Sequence, residues 1–186
     1  MKHISKVFTL AAIIASGLAI EAQAASLTYT LNDINGSTSL DGPDYVTVTL
    51  EDVASVTLGT RTYLDAVKFT VSAGSMFTAE EEEEEEENFG FQTFGFNVAS
   101  GISLNSNKVK GLPNNWSFSS NQNISEFGSF SVKEAGRGNS RRSPLSFYIV
   151  DVNGDDVTSY AQANTRGNLF VAHLAGFSLA GFTGSK

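Results

Sequence analysis

The chain contains no cysteine, and this absence excludes a disulfide framework, a thiolate metal site and a cysteine nucleophile. Histidine is scarce as well, with two among 186 residues, so a histidine-rich zinc site is also excluded. Charged residues make up only 17% of the chain, whereas a quarter is usual. Apolar residues make up 41%, which indicates a folded chain rather than a disordered one.

Basic residues are outnumbered, with 12 Lys and Arg against 20 Asp and Glu and a formal net charge of −8. Nucleic-acid phosphates attract clustered Lys and Arg, so this balance argues against a nucleic-acid partner. Most of the excess comes from eight consecutive glutamates, residues 80–87. The length favours a single domain.

The first 24 residues have the three parts of a secretory signal peptide. Lys2 and Lys6 provide the charged start, residues 7–20 form an apolar run, and Ala22 and Ala24 are small residues at the cleavage positions. The alternative is a short membrane anchor, but the run is shorter than the roughly 20 residues a span needs. We therefore predict cleavage after Ala24 and a secreted or outer-surface protein. Residues 25–186 contain no second apolar run long enough to span a membrane.

Period-2 alternation of apolar and polar residues dominates the rest of the chain, and it is typical of half-buried strands. About eight strand candidates lie at short spacing between turn-forming residues, which predicts an all-β fold. Because the gaps are mostly too short for crossover helices, we expect an antiparallel two-sheet β-sandwich, jelly-roll-like, over residues 25–186. Only residues 156–163 have a mildly helical pattern. The strand candidates are residues 26–31, 45–53, 63–71, 89–98, 116–120, 123–132, 145–152 and 168–177.

Four phenylalanines lie close together in residues 89–98, but their spacing does not place all four on one face of a regular strand. Phe89 and Phe91 share one face of a regular strand, whereas Phe94 and Phe96 share the other. A bulge near Gln92-Thr93 would put all four rings on one side. The alternative is a strand that is buried on both faces.

The glutamate run is most simply a solvated loop between two strands, and it could be an expansion without a role. Two functional interpretations compete with that one. Carboxylates are the hard ligands that calcium prefers, so Glu80, Glu83 and Glu87 are calcium candidates. The run could instead dock on a basic loop, within one molecule or between neighbours, although exposed ion pairs contribute little. The basic loop contains the interaction candidates Arg137, Arg141 and Arg142.

Asp151, Asn153 and Asp155 have the spacing that opens an EF-hand loop, so they are further calcium candidates. The rest of that motif is missing, because Asp156 replaces the glycine and Gln162 replaces the bidentate glutamate. We therefore favour a β-hairpin, in which Asn153 and Gly154 form a type I′ turn after the strand at 145–152. No cofactor other than this candidate calcium is expected.

His173 and Trp116 are the remaining candidates for chemistry. His173 lies on a predicted strand, where a structural role is usual; as a general base it would need an oriented nucleophile and an acidic partner. Trp116 is followed by Ser117 and preceded by two asparagines, so it could stack on a sugar ring, although a core position is more common. We favour the core for Trp116 and a structural role for His173.

The C-terminal third resembles a known family. Residues 145–147 read LSF, residues 170–177 read FVAHLAGF, and Gly184-Ser185 follows. This order is similar to the end of the globular domain in PEP-CTERM exported proteins of Gram-negative bacteria, and residues 94–98 are similar to one of their middle strands. The resemblance implies an exported domain that is linked to exopolysaccharide or biofilm matrix. It implies no catalytic residue, and the family's sorting tail has no counterpart before Lys186.

These features together predict a noncatalytic protein of the extracellular matrix or biofilm, which binds exopolysaccharide or copies of itself. One alternative is a structural subunit that polymerises by β-strand exchange into fibres, with residues 26–31 as the donor strand. Another is a secreted hydrolase that uses His173 or the carboxylates of Asp155 and Asp156.

Overall fold

The computed structural model describes residues 24–32, 45–79 and 89–179. Residues 1–23 of the predicted signal peptide and the acidic run at 80–87 lie outside this part of the chain. The described strands are β1 (Ser26–Leu31), β2 (Val46–Leu58), β3 (Arg61–Ala73), β4 (Phe77–Ala79), β5 (Gly90–Phe96), β6 (Val109–Lys110), β7 (Ser117–Asn123), β8 (Ser129–Ala135), β9 (Leu145–Ile149), β10 (Phe170–Ala175) and β11 (Phe177–Leu179).

The strands form two main sheets and one small ribbon. One sheet has five strands in the order β1-β2-β3-β9-β6, and the other has four in the order β10-β5-β8-β7. The strands β4 and β11 pair with each other. Neighbouring strands are antiparallel throughout, so the predicted all-β, two-sheet sandwich is confirmed. The described strands exceed the expected eight by three, β4, β6 and β11. Each of these is only two or three residues long.

The alternation seen in the sequence determines which faces are buried. In β2, Val46, Val48 and Leu50 are buried, whereas Thr47 and Thr49 between them are only partly covered. The predicted strand at 123–132 is interrupted, because a short 3-10 helix at Ser125–Phe127 separates β7 from β8.

The predicted bulge in the phenylalanine segment is confirmed. In the pairing of β5 with β10, Thr93 lies opposite His173 and Phe91 lies opposite Leu174, so Gln92 is an extra residue. The register shift brings the phenylalanines to the same face, because a bulge advances the strand by one residue. Phe91, Phe94 and Phe96 are fully buried, and the half-buried Phe89 packs against the same core.

An aromatic cluster between the sheets forms the centre of the core. The ring of Phe69 on β3 stacks on that of Phe147 on β9, with 4.7 Å between the centroids. From the other sheet, Phe96 approaches Phe69 to 4.8 Å, and Phe94 approaches it edge-on at 6.2 Å. Offset and tilted ring pairs of this kind stabilise a fold by about 0.5–1.5 kcal/mol beyond the area they bury.

The predicted hairpin at Asn153-Gly154 is wrong. The chain after this turn enters a 3-10 helix at Val157–Tyr160 instead of a strand, and β9 pairs with β3 and β6. Of the two turn residues Gly154 alone has a positive φ, whereas a type I′ turn needs both. The side chain of Asp156 caps the helix by accepting hydrogen bonds from the backbone N–H groups of Thr158 and Ser159. The weak helical pattern at 156–163 corresponds to this short helix.

Candidate functional site

A groove between the two sheets is the candidate site, and we call it the edge groove. It has a volume of about 500 Å³ and is neither enclosed nor flat. One wall is formed by residues 29–32, at the end of β1, and the other by residues 167–174, which include most of β10. Tyr45, Val46, Phe77, Phe127 and Phe177 complete the lining.

The groove exists because both walls are edge strands. Among the described strands, β1 pairs only with β2 and β10 pairs only with β5. The outer edge of each strand therefore presents backbone N–H and C=O groups that no described strand uses. On β1, Leu27, Tyr29 and Leu31 pack partly against the core, whereas Ser26, Thr28 and Thr30 are exposed.

Aromatic rings form most of the groove floor. Tyr29 on β1 and Phe170 on β10 lie 5.3 Å apart between ring centroids, and this contact connects the two walls. Phe77 on β4 approaches Phe177 on β11 edge-on at 4.8 Å and lies 6.4 Å from Tyr45. Tyr29 and Phe177 are only half-buried, so parts of their rings are available to a ligand.

Polar side chains surround this floor. Thr30, Asn32 and His173 are exposed along the two walls. Asn168 is half-buried, and its side-chain amide donates to the backbone carbonyl of Phe127 at 2.9 Å, which fixes the amide at one end of the groove. The described lining contains no aspartate, glutamate, lysine or arginine. His173 therefore has no acidic partner among the described groove residues.

Two of the three calcium candidates at the 151–155 turn have other partners in the structure. The carboxylate of Asp151 forms an ion pair with Arg61 at 2.9 Å, and the Asp151 carbonyl accepts a hydrogen bond from Lys108. The carboxylate of Asp155 accepts a hydrogen bond from the Tyr160 hydroxyl, and burial raises the pKa of this carboxyl. Asn153 is exposed.

No cluster of three or more His, Asp or Glu side chains that could hold a metal ion is found in the described parts of the chain. The candidates Glu80, Glu83 and Glu87 lie outside those parts. Calcium binding by either group therefore remains a prediction.

The basic loop lies beside the start of β5. The backbone N–H of Phe91 donates to the carbonyl of Arg142 at 2.8 Å, and the N–H of Arg142 donates to the carbonyl of Phe91 at 3.2 Å. Arg137 and Arg142 are exposed, whereas Arg141 is partly buried. Phe91 follows the last glutamate of the acidic run, Glu87, by four positions in the sequence. Docking of the run on these arginines remains a prediction.

Trp116 lies in the core, so the position favoured from the sequence is confirmed and the alternative, an open ring that stacks on a sugar, is wrong. The residue is only 9% exposed, and its indole N–H donates to the carbonyl of Ser140 at 2.6 Å. Gly136 packs directly on the indole ring, where a side chain would collide. A ring covered in this way presents no open face to a sugar.

Glu134 is a buried carboxyl that we did not single out in the sequence. It lies on β8 opposite Phe94 of β5 and Phe118 of β7. Both carboxyl oxygens are buried without a hydrogen-bond partner, and burial raises the pKa of Glu134 to about 8. The alternation of Phe130, Val132 and Glu134 in β8 was the available signal, because it places all three on the buried face.

Comparisons with protein-family models, with curated proteins and with solved structures find no match for this chain. The resemblance to PEP-CTERM proteins therefore remains a prediction from the sequence. A search of the described helices finds none with the length and apolar character needed to cross a membrane.

Proposed function

We propose that this chain is a noncatalytic protein of the extracellular matrix that binds polysaccharide in the edge groove. The observation that carries the proposal is the chemistry of the groove, in which half-buried aromatic rings lie between walls that carry polar side chains but no Asp, Glu, Lys or Arg among the described lining residues. The predicted signal peptide supports the export of the chain, and the PEP-CTERM resemblance supports its location in the extracellular matrix.

The lining of the groove suits a sugar chain. A sugar ring has an apolar face of C–H groups and a rim of hydroxyls, so it can lie on an aromatic ring while its hydroxyls exchange hydrogen bonds with polar side chains. Tyr29 and Phe177 supply the aromatic surface, and Asn32, Asn168 and His173 supply hydrogen-bond donors and acceptors.

The same lining favours binding over hydrolysis. Most glycoside hydrolases need two carboxyl groups on either side of the scissile bond. The described lining has no carboxyl group, and Asp155 and Asp156 lie outside it. This supports a binding protein in preference to the secreted-hydrolase alternative.

Affinity electrophoresis of the purified full chain in native gels that contain matrix polysaccharide tests the proposal. We expect the polysaccharide to slow the wild-type chain, and Tyr29→Ala to weaken binding by at least about tenfold because a stacking surface is lost. Tyr148→Ala is the matched control, since Tyr148 is a half-buried tyrosine that packs in a separate small cluster. Equal retardation of the wild-type and Tyr29→Ala chains would contradict binding in the edge groove.

A strand-exchange subunit is the second candidate, and the position of β1 favours it. This strand lies at the edge of its sheet, and its described pairing is a six-residue ladder with β2. A strand held by one ladder can leave its own sheet and occupy the same place in a neighbour, as in donor-strand complementation.

A cysteine trap distinguishes exchange from the closed monomer, because the natural chain has no cysteine to interfere. Thr28 on β1 lies opposite Thr49 on β2, with 3.3 Å between the hydroxyl oxygens, so a Thr28→Cys, Thr49→Cys variant can form a disulfide there. Exchange predicts an oxidised ladder of covalently linked chains on a non-reducing gel. A band at the monomer position alone would contradict exchange.

A further inference from the structure

The described lining of the edge groove has no Asp, Glu, Lys or Arg, and this indicates which class of glycan the groove binds. This step rests on the proposed function. The titratable side chains in the described lining are Tyr29, Tyr45 and His173, and no Lys or Arg is present there. A carboxylate or sulfate group that enters the groove would lose water without gaining a Lys or Arg partner, and this desolvation is costly.

Arg166 is the basic residue that adjoins the described lining, since it precedes Gly167 in the chain. Its guanidinium donates to the backbone carbonyl of Glu126, and the residue is exposed to solvent. It does not line the groove, so it provides a control for the role of charge.

The shape of the groove adds a second restriction. One wall follows β10 from Phe170 to Leu174, and five residues of extended strand cover about 16 Å. The other wall follows the end of β1. A groove along two strand edges accepts an extended segment within a polymer, whereas an enclosed pocket selects a small ligand or a chain end.

We infer that the edge groove takes a linear, uncharged glycan laid along β1 and β10 and discriminates against acidic glycans. Tyr29 and Phe177 stack on the sugar rings, and Asn32, Asn168 and His173 exchange hydrogen bonds with the hydroxyls. Binding therefore depends on apolar contact and neutral hydrogen bonds, and it is insensitive to salt.

Two sets of polymers in native affinity gels test this inference. The neutral set is hydroxyethylcellulose, galactomannan and dextran, and the acidic set is polygalacturonate, alginate and hyaluronate. We expect at least one neutral polymer to retard the full chain, with less than about a twofold change in affinity between low and high salt. Tyr29→Ala should weaken this binding by at least about tenfold, whereas Arg166→Ala should leave it unchanged.

The outcomes separate this inference from the proposed function. If an acidic polymer binds more tightly, and if salt and Arg166→Ala both weaken that binding, the inference is wrong and polysaccharide binding stands. If neither set retards the chain, the proposed function fails and the inference fails with it.

Discussion

The ring of Tyr29 on β1 lies 5.3 Å from the ring of Phe170 on β10, and this pair links edge strands that belong to different sheets. Phe170 is nearly fully buried, whereas Tyr29 is half-exposed above it in the edge groove. The Phe170 ring therefore packs in the core, whereas part of the Tyr29 ring remains accessible in the groove. The pair connects the stability of the fold with the site that we propose for glycan binding.

A double-mutant cycle measures this link. Tyr29→Leu and Phe170→Leu should each destabilise the fold, and the double variant should lose less than the sum, with a coupling of about 0.5–1.5 kcal/mol. Urea unfolding of the four proteins gives the value. Tyr29→Leu combined with Tyr63→Leu is the control, because Tyr63 packs in the separate small cluster and the two losses should add. A coupling near zero for the first pair would show that the ring contact does not hold the edges together.

Glu134 makes the stability of the fold depend on pH. Its folded-state pKa of about 8 lies above the ordinary value of 4.5, because burial disfavours the charged form. Between these two values the folded chain keeps a proton that the unfolded chain releases. The free energy of unfolding therefore falls as pH rises through this window, by up to about 1.4 kcal/mol per pH unit.

Glu134→Gln should remove this slope, because an amide does not titrate. Urea unfolding at several values between about pH 5 and pH 8 compares the slopes, and the comparison holds even if the amide lowers the absolute stability. Glu126→Gln serves as the control for the substitution itself, since Glu126 is an exposed glutamate. Parallel curves for the wild-type and Glu134→Gln chains would mean that the Glu134 carboxyl is not buried in its protonated form.

Gly90 is required where β5 meets the basic loop. Its φ is +138°, and a Cβ atom there would lie 2.6 Å from the backbone carbonyl oxygen of Arg142. We expect Gly90→Ala to destabilise the fold by about 3 kcal/mol, since it adds both backbone strain and a collision. Thermal unfolding checks this value. Gly138→Ala is the matched control because an added Cβ meets open space there, and an equal loss in both variants would refute the role of Gly90.

The strands were predictable because alternation and turn residues act locally. In β2 the order of Val46, Val48 and Leu50 was enough to identify the buried face. The bulge at Gln92 was predictable for the same reason, since only an extra residue brings the two phenylalanine pairs onto one core. The hairpin predicted at Asn153-Gly154 is wrong because the local turn preference is overridden by Tyr160, whose ring is fully buried and brings the residues after the turn into the core.

The edge groove could not be predicted from the sequence, and the reason is physical. Tyr29 and Phe170 are 141 positions apart, and their contact depends on which strands end up at the sheet edges. Strand order follows from long-range pairing and leaves no short-range pattern. The burial of Glu134, in contrast, was available from the alternation in β8 and needed only the assumption that the buried face tolerates a carboxyl.

The most direct test of glycan binding in the edge groove is an NMR titration of the isotope-labelled chain with a short oligosaccharide of the retarding neutral polymer. We predict that shift changes concentrate on residues 29–32 and 167–174, the two walls of the groove. Residues 117–123 of β7, an edge strand of the four-stranded sheet that lies outside the groove lining, should remain unchanged. Shift changes that instead cluster on β7 or on the loop at residues 137–142 would contradict the account.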